Sequence, residues 1–289
     1  MSFAELAGLM PVWATLAAAV ALALGCCMGS FINCMAWRIV RGESWTSGRS
    51  HCASCGHPLS AGDLVPVASW LALRGRCRYC GERIAARYML TELLCGACFL
   101  VVLVAFGFTV QTAALMVLCC LLLGLSLVDL DSMIIPNGYI LAGMVLWVLM
   151  IAGQAAAGEL AAGPEGSLGT LWLRVLGGNA LLACIADGLG GALALSALVL
   201  LVSLAFGKVA GKEGMGMGDI KLYFVVTLFL GAGCGLLNLF LSCVVGLVFA
   251  LVAGKKKQFP FGPSIAVATL VTLLVGPTLL SAYLGLFGL

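Results

Sequence analysis

The sequence predicts an all-α polytopic membrane protein of about eight transmembrane helices, with one small polar domain set between the first two. Three observations predict it. Hydrophobic residues make up 63% of the 289 and charged residues only 9%, whereas soluble domains are nearer half apolar and about a quarter charged. That balance excludes a soluble enzyme, a disordered chain and a nucleic-acid binder with a broad basic face. The apolar residues fall in runs of roughly 20, the length that crosses a bilayer as a helix, and such runs suit helices better than barrel strands. The only long polar segment, residues 38–88, carries two Cys-x-x-Cys pairs.

The eight runs are about 12–37, 89–108, 111–130, 138–157, 183–206, 219–235, 237–253 and 263–286. Glycines interrupt the fifth and sixth. The first has no basic residue before Arg38 and Glu5 as its only preceding charge, so it lacks the positive region of a cleavable signal peptide and is expected to stay as a permanent span. Lys and Arg then orient the bundle. With eight spans, Arg38, Arg41, Arg49, Arg74, Arg76, Arg78, Arg83 and Arg87 share one face with Lys208, Lys212, Lys221 and Lys255–Lys257, and Arg174 alone lies opposite. That face is expected to be cytoplasmic, with both termini outside. The expected division is a first helix over 1–37, a cytoplasmic domain over 38–88 and a seven-helix membrane domain over 89–289.

A domain as small as 38–88 rarely buries enough core to fold alone. Cys52-Ala-Ser-Cys55-Gly56 and Cys77-Arg-Tyr-Cys80-Gly81 supply a staple. Four thiolates in two such pairs are a four-cysteine metal signature, expected to hold a structural Zn2+. Disulfides are disfavoured in a reducing cytosol. His51 and His57 flank the first pair but are bystanders once four sulfurs complete a tetrahedron. The other ten cysteines lie in or beside spans, where Cys packs as a small hydrophobe; the Cys95-x-x-Cys98 spacing is read as packing.

Carboxylates beside a bilayer are costly, so each is weighed as a functional residue. Asp129 closes the third span and Asp219 opens the sixth, which puts both on the cytoplasmic face at one depth. Gly214, Gly216 and Gly218 precede Asp219 and leave room for another backbone. Two facing carboxylates share a proton, so that one can act as base on a water while the other acts as acid to the carbonyl or leaving amine. The same pair could instead hold a cation in a transporter. Asp131 is expected to be a solvated loop carboxylate or a partner to the pair, Glu92 to pair with Arg87 or line a cavity, Asp187 to be interfacial, and Asn33 to make a helix–helix hydrogen bond.

Together these residues resemble the type IV prepilin leader peptidases, which are GxGD aspartic membrane proteases. Gly29-Ser30-Phe31-Ile32-Asn33 with Arg38 is similar to the family's first-span signature. The Cys52/Cys55 and Cys77/Cys80 pairs bracket Val65-Pro66-Val67-Ala68-Ser69-Trp70 and precede Arg87-Tyr88 and Glu92-Leu93, as in its cytoplasmic domain. Asp129, seven residues before Pro136, matches the first catalytic aspartate. Gly216-Met217-Gly218-Asp219-Ile220-Lys221 matches the GxGDxK motif of the second. The resemblance implies a bacterial inner-membrane endopeptidase that removes the basic leader of type IV prepilins or pseudopilins at the cytoplasmic face. It implies Asp129 and Asp219 as catalytic residues, supported by Gly216, Gly218, Lys221 and Pro136. It also implies N-methylation of the new N-terminus with S-adenosylmethionine, an activity the four-cysteine domain accompanies; no strand followed by GxGxxG marks where that cofactor binds. Implied partners are the pilin substrate and membrane lipid, with no nucleic acid. Asn137 departs from the Asp often found after the proline, a change expected to spare peptidase activity. The outer loop 158–178, with Gly163-Pro164-Glu165-Gly166, is expected to be tolerated decoration.

Overall fold

Nothing in a bilayer core satisfies a backbone N–H except the chain itself, so apolar runs of this length become helices. The computed structural model describes residues 2–160, 168–211, 215–253 and 260–286. Lys212, Gly214, Lys255–Lys257 and Gly163-Pro164-Glu165-Gly166 lie outside them. Among the described residues seven helices are long and apolar enough to cross a membrane, and no strand is formed. The chain is a multi-pass membrane protein. Its contacts divide it into two units, Met1–Ser132 and Met133–Leu289, and each has its own internal logic.

In the first unit, a short α1 (Phe3–Leu9) is closed by a reciprocal Ser2–Glu5 capping box. Pro11 then opens α2 (Pro11–Val40) at its first position, where a missing N–H costs nothing. The lobe that follows holds a 3-10 turn (Ala61–Leu64) and α3 (Ala68–Ala72), and leads into α4 (Ala86–Phe106) and α5 (Val110–Ser132). α2 and α4 meet backbone to backbone. A Cβ on Gly25 would lie 2.7 Å from the Cys95 carbonyl oxygen, and one on Gly29 2.8 Å from the Glu92 Cα. This Gly25-x-x-x-Gly29 seam is how membrane helices, with no hydrophobic drive toward each other, gain close packing.

α2 extends three residues past the expected end at 37 because Arg38 is buried rather than solvated. Its guanidinium donates to the carbonyls of Ser44, Ser47, Gly48 and Arg49 at 2.7–3.3 Å, which satisfies the charge and ties the start of the lobe to the helix. Beside it Arg41 lies flat on the Trp37 ring, 3.7 Å from its centroid.

In the second unit, Pro136 occupies the N-cap of α6 (Asn137–Ala157). α7 (Leu168–Val175) lies within the expected outer loop and was not signalled by the sequence. The Asn179 side chain caps α8 (Ala180–Ala210), which runs through its glycines without interruption. α9 (Met217–Ala253) and α10 (Gly262–Leu286) complete the unit.

α9 is one run by hydrogen bonding but two arms by direction. Gly231 adopts φ 72°, ψ 176°, and a Cβ on Gly235 would lie 2.7 Å from the Thr227 Cγ2. Residues eight apart in a straight helix are about 12 Å apart, so the chain folds back at Gly231. The expected sixth and seventh spans are these two arms, and the break falls at Gly231 instead of between 235 and 237. Asp187 explains the position: its carboxylate accepts from the Ala232 N–H at 3.3 Å and caps the second arm. Expected to be interfacial, Asp187 is a structural part of this turn. The second arm packs on α10, where Asn238 donates to Thr269 at 3.2 Å.

Candidate active site and metal centre

The Cys52, Cys55, Cys77 and Cys80 sulfurs all lie within 4.8 Å of one another. Two copies of one local structure bring them there. In the first, the Cys52 N–H donates to the His57 carbonyl and Gly56 N–H to the Cys52 carbonyl. In the second, the Cys77 N–H donates to Glu82 and Gly81 N–H to Cys77. Gly56 at φ 70° and Gly81 at φ 73° make the left-handed turn each loop needs. The backbone N–H groups of Cys55 and then Ser54 pull the Cys52 thiol down to about 7, toward the thiolate that binds a metal. The four sulfurs are therefore arranged to hold a metal ion.

Asp63 braces the second loop. Its carboxylate accepts from the Ser60 hydroxyl and N–H, from Arg78 Nε at 2.7 Å and from the Tyr79 hydroxyl at 3.0 Å. Arg78 and Tyr79 are the two residues between Cys77 and Cys80. The Ser60 hydroxyl first, and Arg78 next, hold Asp63 well below the usual carboxylate range. His57, away from the sulfurs' ligand set, stacks on Tyr79 with ring centroids 3.7 Å apart and so links the two loops.

Glu92 does not pair with Arg87. It is buried, and accepts the Val67 N–H at 2.7 Å, which holds the lobe's Val65–Trp70 stretch against α4. Arg87 instead makes a bidentate pair with Asp131, at 2.7 and 2.5 Å. Asn33, expected to make a helix–helix hydrogen bond, donates to the Tyr88 carbonyl of α4 at 3.2 Å. Cys95 and Cys98 pack as expected, their thiols meeting Cys120 and Cys119 of α5.

Asp129 lies in the last turn of α5 and is buried, 4% exposed. It belongs to the first unit. Asp219, half-buried, lies in the first turn of α9 and belongs to the second. The glycines before Asp219 have separate uses. A Cβ on Gly216 would lie 3.2 Å from the Asp219 Oδ2, and one on Gly218 3.2 Å from the Ile135 Cβ. The first leaves space at the carboxylate; the second lets the segment after Met133 close on α9. Lys221 donates to the Asn137 side-chain oxygen at 3.0 Å, so the GxGDxK lysine and the residue after Pro136 form one contact. Sequence reasoning missed Ser203 of α8, whose hydroxyl accepts the Met215 N–H at 3.0 Å and steadies the approach to Gly216. A Ser in an apolar span, one of two in α8, carried the only signal.

A chain of membrane-spanning helices with an Asp-bearing glycine motif and a lobe whose four cysteines could hold a metal defines the class: a polytopic membrane peptidase. A model of the bacterial peptidase A24 N-terminal domain matches residues 23–106, and a model of the type IV leader peptidase family matches residues 116–251. Prepilin leader peptidase/N-methyltransferase of Stutzerimonas stutzeri is 31% identical, over 91% of this chain and 92% of the relative. Those of Aeromonas salmonicida and Neisseria gonorrhoeae are 34% identical over 82% of this chain and 74% of theirs, and 28% over 90% and 91%. No solved structure gives a significant match. The chain belongs to the type IV leader peptidase family and is an enzyme of that family.

Proposed function

We propose that the protein is an aspartic endopeptidase that removes the basic leader of type IV prepilins or pseudopilins at the cytoplasmic face of the bacterial inner membrane, and then methylates the new N-terminus. The observation that carries the peptidase is the Asp219 segment: a carboxylate at a helix start, flanked by glycines that leave it open to an extended backbone. Asp129 and Asp219 are the dyad. One takes a proton from the attacking water, and the other donates one to the carbonyl oxygen and then the leaving amine. Gly216 leaves space at the Asp219 carboxylate, Gly218 lets the Ile135 segment close on α9, Lys221 anchors the start of α6 through Asn137, and Pro136 sets where that helix begins. The concentration of basic residues on one face supports a cytoplasmic site, where a basic leader is found. Residues 38–88 act as one cytoplasmic domain.

Zn2+ is the metal that suits the lobe. Zn–S bonds of about 2.3 Å put sulfurs of a tetrahedron about 3.8 Å apart, and Cys52 and Cys80 sulfurs are 4.0 Å apart. In four thiolates the metal is structural. S-adenosylmethionine, when bound, would supply the methyl group that the new N-terminal amine accepts.

The test is cleavage of a purified prepilin in detergent or liposomes, with the product N-terminus read by mass spectrometry. Asp129→Asn and Asp219→Asn are each expected to lower cleavage by three orders of magnitude or more while metal content stays at one per chain. Substantial cleavage by either variant rejects the dyad. A mass shift of one methyl group on the product, dependent on added S-adenosylmethionine, tests the second activity separately.

A further inference from the structure

The lobe between α2 and α4 carries its apolar residues on the outside. Leu64, Val65 and Leu71 are 41%, 47% and 57% exposed, and Ala68 and Ala72 are exposed beside them. Ala68, Leu71 and Ala72 share one face of α3, because residues three and four apart on a helix lie on the same side. The other side holds Trp70. Its indole N–H donates to the Ile84 carbonyl at 3.2 Å, and its ring closes on Gly75, where a Cβ would lie 2.7 Å from the Trp70 ring. No charged residue occurs from Leu64 to Leu73. We propose that this face docks in the lipid bilayer, so that Leu64–Ala72 is an interfacial membrane element of the lobe. The proposal needs only that the helices span a membrane, and depends on neither the dyad nor the methylation.

Depth carries the assignment. Glu92 accepts the Val67 N–H at 2.7 Å. It lies six residues after Ala86, where α4 starts, or about 9 Å along the helix axis. A helical side chain leans back toward the N-terminus, which leaves Val67 beside the first two turns of α4. The apolar run of that span begins at Met89, and α4 is long and apolar enough to cross a membrane. Leu90, Leu93 and Leu94 are exposed on it at this level. In a bilayer those leucines face lipid, and the exposed face of the lobe lies level with them.

Val67 is fixed there against its own preference. It adopts φ 61°, ψ −53°, a region that β-branched residues rarely enter. Such conformations cost about 1–3 kcal/mol and persist only where the surroundings over-determine them. The buried Glu92 carboxylate is one such constraint, and it keeps the segment against α4.

The chemistry of the face suits lipid. An interfacial element puts apolar side chains at the boundary of headgroups and acyl chains and basic ones beside the phosphates. Arg74, exposed just after α3, has the length to reach headgroups from there. Trp70, tied to Ile84 two residues before α4, stands at the level where Trp is enriched in membrane proteins. A basic prepilin leader would need carboxylates, and this face has none. Docked in this way, the metal lobe is held against the membrane surface and does not swing on the ends of α2 and α4.

Wild-type full-length protein tests the proposal in nanodiscs of phosphatidylethanolamine and phosphatidylglycerol that contain a phospholipid with a diazirine at the headgroup end of one acyl chain. After irradiation, tandem mass spectrometry is expected to find label within Leu64–Ala72 at about tenfold or more the level on His51–His57, together with label on Leu90–Leu94. Val65→Glu combined with Leu71→Glu is expected to lower the label on the lobe about fivefold or more and to leave that on α4 unchanged. A second measurement sets p-benzoylphenylalanine in place of Leu71 and identifies what it joins, with a lipid adduct expected. Label within Leu64–Ala72 no higher than on His51–His57 would overturn the proposal. So would a cross-link from position 71 to added prepilin, to a second copy of the chain or to residues 133–289. If the double variant fails to fold, the wild-type label map and the adduct at position 71 decide.

Discussion

Between Arg41 and Ala85 the only buried residues among those described are Gly75 and Cys77, while α5 alone buries thirteen, Leu115, Leu118 and Leu122 among them. The two regions are neighbours in one unit and are built on different physics. The helices hold together by shape: glycines on α2 and α4 bring backbones into contact, and side chains fill what is left. The lobe has almost no apolar interior to fill. Its order comes from polar contacts, with four sulfurs gathered within 4.8 Å of one another, Arg38 among four carbonyls, Asp63 among four donors and Glu92 on the Val67 N–H. A mutation should therefore do different damage according to which physics it meets.

Removing the metal separates the two most sharply. A structural Zn2+ held by the four sulfurs would contribute roughly 10–16 kcal/mol of folding free energy, as it does in other small Cys-rich sites. Chelation, or Cys77→Ser, is expected to open residues 44–85 to limited proteolysis while helical circular dichroism is kept. Loss of helical signal in parallel with the lobe would show that the helices lean on it, contrary to the packing described.

The converse change acts on the helices. Gly29→Val places a branched side chain where a Cβ alone would already sit 2.8 Å from the Glu92 backbone. Overpacking of this kind costs about 1–3 kcal/mol. The expected result is a lower unfolding midpoint in detergent with metal still bound at one per chain. Metal loss in this variant would tie the lobe to the α2–α4 seam more closely than its own contacts require.

The same contrast explains what the sequence made legible. Apolar runs and the two Cys-x-x-Cys pairs are local patterns, and they became helices and a cluster of four sulfurs. The metal cluster needed no long-range inference because ligand spacing encodes it. Contacts that join distant positions left no such trace. Arg87 meets Asp131 and not Glu92, Lys221 meets Asn137, and Asp187 caps an arm that begins at Ala232. Arg38 looked like a marker of the membrane edge because charge after an apolar run usually is one. Its burial depends on the fold of residues 44–49, whose Ser and Gly content exposes carbonyls without announcing a partner. The reversal within α9 was partly visible in Gly231-Ala-Gly233-Cys-Gly235, but which glycine turns is decided by Asp187.

Asp63 provides the smallest and most specific prediction, because it separates bracing from coordination within the lobe itself. Its folded-state pKa is depressed, chiefly by the Ser60 hydroxyl and then Arg78. A depressed carboxylate contributes stability that is present above its unfolded value, about 3.9, and lost as pH falls toward the folded one. Thiolate coordination follows the opposite group, since protons compete for sulfur well above that range. Asp63→Asn is therefore expected to weaken metal retention slightly, by a factor of a few, and by the same factor at every pH from about 5 to 8. The measurement is the zinc-release rate to a chelator as a function of pH, wild type against variant. A ratio that varied across that interval would mean Asp63 acts through the protonation of the cysteines, and the lobe would then have one source of order where two are described.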